Sequence, residues 1–303
     1  MKIAIIGAGA MGSLYGGYIS KYNEEVYLVD IWQQHVDEIN NNGLSIIEKD
    51  ESIKVYPKAV SDSKDIGFAD LVIVFVKSYL TDTALEMNKS LLSKDTIVLS
   101  LQNGYGNIEK ISKYVHIDNV IAGTTAHGAA MVSPGVVKHG GAGETHIGWV
   151  NNKNDKRIDE VAEVLNNSGF NTTISQNVME LIWSKLIVNV GINALTALLK
   201  VQNGELLNME ETKELMEMAV VEGVNVAEKA GVKFSREDMV NKVKAVALAT
   251  RENKSSMLQD ILNNRKTEID TINGAIVKEG KKYKVETPVN LVLLNLIKAQ
   301  EKK

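Results

Sequence analysis

A short apolar run, Ile3 to Ile6, leads straight into Gly7-Ala8-Gly9-Ala10-Met11-Gly12, and a helical pattern from Ser13 to Lys21 follows. A second apolar run, Val26 to Val29, ends on Asp30. This is G-x-G-x-x-G between strand and helix, with a carboxylate at the end of the next strand. Gly7 permits the tight turn, Gly9 lets a pyrophosphate approach the backbone, and Gly12 lets helix and strand pack closely. The amides that open the helix, from Ala10 onward, face the phosphates. The motif predicts an α/β unit built to hold a dinucleotide, with Gly7, Ala8, Gly9, Ala10, Met11 and Gly12 as its phosphate turn.

Asp30 bears on which dinucleotide binds. A carboxylate there accepts hydrogen bonds from the adenosine ribose and repels a 2′-phosphate. None of Ile31, Trp32, Gln33 and Gln34 is basic, so the residues lean towards NADH over NADPH. Asp30 could instead simply cap its own loop.

Apolar strands continue at Leu71–Val76, ending in Lys77, and at Thr96–Leu101, ending in Gln102-Asn103-Gly104. Val120-Ile121-Ala122 leads on to Ala129. Such runs predict a doubly wound, mostly parallel sheet covered on both faces, with ligands beyond the carboxyl ends of its strands. Lys77, Asn103 and Ala129 lie at or past such ends. Gly135–His139 and Thr145–Trp149 read as antiparallel strands added to the sheet edge. His127, His139 and His146 show no partner in the sequence and read as polar strand or loop residues rather than acid–base groups. A helix is predicted at 157–167 and a last strand at 172–175. Beyond Gln176 only helical patterns remain, including 212–230, 236–250 and 288–300. The division expected is a Rossmann domain, 1–175, followed by an all-α domain, 176–303.

The apolar helix from Trp183 carries Lys185, Asn189 and Asn193 at i, i+4 and i+8. At about 100° per residue these fall within roughly 80° of each other along about 12 Å of helix. A buried ammonium and two buried amides are costly without partners, so the side they share reads as a substrate pocket headed by a cationic acid. In a helical reading of 268–276, Glu268 adjoins an apolar face and would seek Lys185; the other reading is a surface glutamate paired with Arg265.

The 303 residues carry a net charge of −4, which argues against nucleic acid as main partner. Cysteine is absent, which excludes disulfides, thiolate zinc sites and a cysteine nucleophile, and fits a cytoplasmic location. The histidines lack metal-ligand spacing, so no metal is expected. The glycine-broken N-terminal run does not read as a signal peptide, and no apolar stretch free of charges and glycines is long enough to span a membrane. A homodimer through the C-terminal amphipathic helices is possible on this pattern, as is their use as internal core.

Together the motifs resemble the ketopantoate reductases, or 2-dehydropantoate 2-reductases, along nearly the whole chain. The pieces are the glycine turn, Leu101-Gln102-Asn103-Gly104 and Trp183-x-Lys185-x-x-x-Asn189-x-x-x-Asn193. Asn203-Gly204-Glu205-Leu206, Ser255-Ser256-Met257-Leu258-Gln259-Asp260 and Thr267-Glu268-Ile269-Asp270-x-Ile272-Asn273-Gly274 complete them. The resemblance implies NAD(P)H-dependent reduction of 2-dehydropantoate to (R)-pantoate, on the way to pantothenate and coenzyme A. By motif it makes Lys185 the catalytic lysine and sets Glu268 against both the cofactor and that lysine. Asn189, Asn193, Asn203 and Ser256 fall on substrate positions. Asn103 and Ala129 lie near the nicotinamide, with Asn103 also facing substrate, and Lys77 contacts the cofactor. The family mostly uses NADPH, and Asp30 departs from that pattern. Two other readings stay open: a related 2-keto-acid or β-hydroxyacid dehydrogenase, and a dinucleotide-sensing module without catalysis.

Overall fold

The computed structural model describes residues 1–49 and 51–302. The chain forms two compact units, 1–102 with 107–178, and 103–106 with 179–303.

In the first unit the elements run β1 (Ile3–Ile6), α1 (Ala10–Ile19), β2 (Val26–Val29), α2 (Gln33–Asn42), β3 (Leu44–Glu48), β4 (Glu51–Val55), β5 (Lys58–Val60) and β6 (Leu71–Val74). They continue with α3 (Thr81–Met87), β7 (Ile97–Ser100), α4 (Asn107–Ile111), β8 (Val120–Thr125), β9 (Gly128–Ser133), β10 (Val136–Gly141), β11 (Thr145–Trp149), α5 (Arg157–Asn167) and β12 (Thr172–Ile174). The main sheet has the order β12-β11-β8-β7-β6-β1-β2-β5. From β5 to β8 every neighbouring pair is parallel. The chain direction reverses its march between β1 and β6, which creates the switch point where open α/β sheets take their ligands.

Alternation along β1 shows why the sheet is covered twice. Ile3 and Ile5 join the core on the α1 side, with Leu14, Leu28, Leu71 and Leu99. Ala4 and Ile6 join a second core on the opposite face, with Val29, Val72, Val74 and Val98. Successive side chains of a strand point to opposite faces, so a strand apolar at every position needs a layer on each side.

The strands after Gly135 differ from the sequence expectation. β11 does lie antiparallel to β8, with β12 parallel outside it. β10 is not on that edge: it belongs to a second sheet of order β4-β3-β10-β9, antiparallel to β9 and parallel to β3. The sequence reading missed β3, β4 and β5. They are short, rich in Glu and Lys, and partly exposed, so no continuous apolar run marks them.

The second unit is helical: α6 (starting at Val178 in the first unit, Val178–Leu199), α7 (Glu210–Lys229), α8 (Arg236–Ala249), α9 (Ser256–Leu262), α10 (Asn273–Tyr283) and α11 (Pro288–Gln300). Its core holds Trp183, Leu186, Ile187 and Val190 of α6 with Met216, Val220, Val243, Ile276 and Ile297. Gly191 does not break α6. A Cβ there would lie 2.8 Å from Val243 and 2.9 Å from Val220, so the glycine marks close helix approach. α6 is apolar and long enough to cross a membrane by length and composition, but 72% of its most apolar window is buried inside the protein, as in a core helix.

Candidate functional site

In the first unit the glycine turn follows β1 directly. Gly7 has φ +93°, and a Cβ there would come within 2.7 Å of the Val76 backbone beyond β6. At Gly12 a Cβ would lie 1.9 Å from the Gly7 carbonyl oxygen, so only glycine lets α1 sit this close to the turn. Gly9 is the opposite case. It is exposed, and a Cβ there would meet nothing within 4 Å. Helix α1 has no side-chain cap and no acidic residue in its first turn, so no side chain of its own competes for its leading amides. These features fit a dinucleotide diphosphate: a tight turn, an open approach at Gly9, and an uncapped positive helix end.

Asp30 is half-buried at the end of β2, and its Oδ1 accepts the Trp32 N–H at 2.9 Å. The carboxylate therefore does shape its own loop, while Oδ2 has no protein partner among the described residues. Lys77 is half-buried ahead of a 3-10 turn, Ser78–Leu80, after β6. Ala129 sits in β9, in register with His139.

The histidines do have partners, most of them from distant sequence. His139 Nδ1 lies 2.6 Å from Glu48 Oε1 and its Nε2 lies 3.1 Å from His127 Nδ1. Tyr18 donates to the same Glu48. His146 Nδ1 lies 2.5 Å from Thr173 Oγ1 on β12. These contacts join α1, the end of β8 and the second sheet, and they account for the polar character of the strands.

In the second unit α6 presents Lys185, Asn189 and Asn193. Lys185 and Asn189 are partly buried and Asn193 is 5% exposed. Neither Asn189 nor Asn193 makes a side-chain hydrogen bond among the described residues. Burial pushes the Lys185 ammonium down to about 8, and the Glu268 carboxylate opposes that shift.

Glu268 is buried, which removes the reading of a surface glutamate paired with Arg265. Nor does it lie in a helix, as the periodicity suggested. It precedes a 3-10 turn, Ile269–Thr271, and its carbonyl accepts the N–H groups of Thr271 and Ile272 at 3.0 and 3.1 Å. Ile272, at φ −105° and ψ −95°, separates that turn from α10. The same turn receives the Asn103–Gly106 segment. Tyr105 N–H donates to the Thr271 carbonyl at 2.9 Å, and a Cβ on Gly104 would meet Thr271 at 2.6 Å. The Tyr105 ring packs at 4.7 Å from Trp183, one half-turn before Lys185 on α6. Asn103, Glu268 and the head of α6 thus converge.

A second group gathers at the other end of α6. Thr196 Oγ1 lies 2.7 Å from Ser255 Oγ, and Ser255 caps α9 by accepting the Leu258 N–H. Ser256, the first residue of α9, is exposed beside this junction. Asn203 N–H donates to the Asn253 carbonyl at 3.0 Å, and its side chain donates to Thr250 Oγ1 at 2.9 Å. Its buried Oδ1 has no partner among the described residues. Sequence reasoning missed several groups that hold these pieces: Ser13, His35, Thr196, Ser255 and Thr271. Ser255 stands inside one of the quoted motifs, but the partners that join these groups, such as His35 for Ser13 and Ser255 for Thr196, lie far along the chain, so no local signal pairs them.

A model of the ketopantoate reductase family (PanE/ApbA) matches residues 3–152, and a model of that family's C-terminal part matches 177–301. The 2-dehydropantoate 2-reductase of Halobacterium salinarum is 37% identical over 303 residues, covering 100% of this chain and 99% of the relative. That of Pyrococcus horikoshii is 40% identical over 301 residues, covering 99% and 98%. Among solved structures, a ternary complex of D-mandelate dehydrogenase with NADH and anilino(oxo)acetate has a TM-score of 0.95 at 34% identity, covering 100% of this chain and 98% of that one. A PanE/ApbA family ketopantoate reductase from Ralstonia eutropha has a TM-score of 0.91 at 33% identity, covering 100% and 99%. The glycine turn, the lysine helix and these full-length matches agree, and the chain belongs to the ketopantoate reductase family.

Proposed function

We propose that this protein reduces the C2 ketone of 2-dehydropantoate to the hydroxyl of (R)-pantoate, in pantothenate and coenzyme A formation. The observation that carries the reading is the side of α6 that presents a desolvated ammonium, Lys185, followed by two unpartnered amides, Asn189 and Asn193. Full-length relatives with this activity support it.

A bound reduced nicotinamide supplies a hydride to the ketone carbon. Lys185 donates a hydrogen bond to the ketone oxygen, stabilises the charge growing there, and gives up its proton to form the hydroxyl. With its pKa near 8 the ammonium is charged at neutral pH yet acidic enough to release that proton. Glu268 keeps it charged. Asn189, Asn193 and Ser256 bind the substrate carboxylate and hydroxyl and hold the ketone in one orientation, with Asn103 and Asn203 at the margins. The phosphate turn, Gly7 to Gly12, holds the diphosphate, and Lys77 and Ala129 line the rest of the cofactor site.

The finer reading of the cofactor is NADH. Asp30 Oδ2 offers an acceptor to the ribose diol, and no basic side chain stands at 31–34 to receive a 2′-phosphate. The D-mandelate dehydrogenase structures also carry NADH. The test follows NADH and NADPH oxidation by absorbance, with 2-dehydropantoate and, separately, phenylglyoxylate. Faster turnover of 2-dehydropantoate with NADH is expected. A preference for phenylglyoxylate would overturn the substrate, and a preference for NADPH would overturn the role of Asp30.

A further inference from the structure

His35 on α2 is completely buried, lies outside every motif and takes no part in the chemistry above. Its surroundings fix its protonation state. The backbone N–H of Gly135, in the turn between β9 and β10, donates to His35 Nδ1 at 2.9 Å. Nδ1 therefore carries the lone pair and Nε2 carries the proton. Nε2 lies 3.0 Å from Ser13 Oγ and donates to it. Ser13 in turn donates to the Ala8 carbonyl at 2.7 Å, and Ser13 is itself fully buried. The relay thus runs in one direction, from the Gly135 amide to the carbonyl of the phosphate turn. Burial pushes the His35 imidazole below its ordinary pKa, which agrees with a neutral ring.

The opposite side of His35 faces the ribose loop. The Trp32 indole stacks on the imidazole, with centroids 5.3 Å apart and planes 19° apart. The Trp32 N–H holds Asp30 Oδ1. One ring therefore touches both halves of the adenosine diphosphate site: Ala8 through Ser13, and Asp30 through Trp32. Gly135 connects this ring to the second sheet, since its carbonyl accepts the Ser45 N–H of β3 at 2.8 Å.

We infer that His35 is a positioning residue for dinucleotide recognition, coupling the phosphate turn to the Asp30 ribose contact through its neutral, Nε2-protonated ring. The inference rests on the dinucleotide reading of the glycine turn. Ser13 acts only on the phosphate branch. His35 acts on both branches, so of the two it is the one that also bears, through Asp30, on discrimination between NADH and NADPH.

The experiment titrates NADH and NADPH, by nicotinamide fluorescence, into the wild type, Ser13→Ala and His35→Leu, and measures kcat at saturating cofactor and keto acid. Each variant removes two buried hydrogen bonds of the relay and is expected to bind NADH about tenfold more weakly. The kcat at saturation should stay within about twofold, because neither residue touches the reacting atoms. Ser13→Ala should weaken both cofactors alike, and His35→Leu should narrow the gap between them. A merely structural role would lower the thermal midpoint and leave both dissociation constants unchanged well below it. Unchanged constants in folded Ser13→Ala or His35→Leu overturn the inference. Should His35→Leu fail to fold, Ser13→Ala decides the phosphate branch, and His35→Gln, which keeps an amide donor for Ser13 but loses the ring that stacks on Trp32, decides the ribose branch. An unchanged NADH/NADPH ratio in folded His35→Leu overturns the ribose branch. A wild type that binds neither cofactor overturns the dinucleotide reading and this inference together.

Discussion

Lys185 is pulled in two directions. Burial disfavours its ammonium, and the Glu268 carboxylate restores part of what burial removes. Burial is the larger influence, so the pKa lies near 8, below that of an ordinary lysine. The sign for activity follows. The acid must start protonated, so kcat/KM for reduction is level below pH 8 and falls as pH rises through about 8. Glu268→Gln removes the opposing charge, and the falling limb should move to lower pH. A limb that stays put in a folded Glu268→Gln protein would mean the carboxylate does not act on the lysine. Lys185→Ala should lower kcat by roughly 10²–10⁴, the usual worth of a positioned acid. Steady-state turnover near the wild-type rate would remove Lys185 from the chemistry.

Among the helical elements, α11 shows how a buried charge can serve packing alone. Glu222 of α7 is 9% exposed, yet it has no basic partner among the described residues. Its carboxylate instead accepts the Val289 N–H at 2.8 Å, the Asn290 N–H at 2.9 Å and the Asn290 side-chain amide at 2.8 Å. Those two backbone donors belong to the first turn of α11, which lacks a side-chain cap of its own. The carboxylate therefore satisfies otherwise orphaned amides and complements the helix dipole. Asn290 extends the cluster to the Ala219 carbonyl at 3.1 Å and to Asn273 of α10 at 2.9 Å. Glu222→Ala leaves three donors without an acceptor and should cost about 3 kcal/mol in chemical denaturation. Glu222→Gln keeps one oxygen and should lose less. A change under about 0.5 kcal/mol for the alanine variant, the size of an ordinary surface substitution, would show that the cap contributes nothing.

On the scale of the whole chain, two cores of different kind carry the two halves of the proposed reaction. A cofactor held by the first unit should stabilise that unit by mass action, by about 2.7 kcal/mol at a free concentration one hundred times its dissociation constant. Saturating NADH should therefore raise the thermal midpoint measured by calorimetry. An unmoved midpoint would count against binding to the native state. The parallel strands, the glycine turn and the later helices were legible in the sequence because each is encoded locally, in an apolar run or a 3.6-residue period. Lys185, Asn189 and Asn193 were legible for the same reason: one helix places all three, and periodicity alone puts them on one side. The short strands β3 to β5 were not, since their pairing rather than their composition makes them strands. Glu268 read as helical because its apolar neighbours recur at helical spacing, whereas the non-helical backbone of Ile272, at φ −105° and ψ −95°, cuts its single 3-10 turn off from α10. His35, His139 and Glu222 owe their roles to partners 67 to 100 residues away, such as Gly135 for His35, Glu48 for His139 and Val289 for Glu222. Sequence by itself determined the locally encoded elements and the chemistry placed on each of them. Only the tertiary structure decided which polar groups meet, because a hydrogen bond depends on distance in space, and periodicity reaches no further than one element.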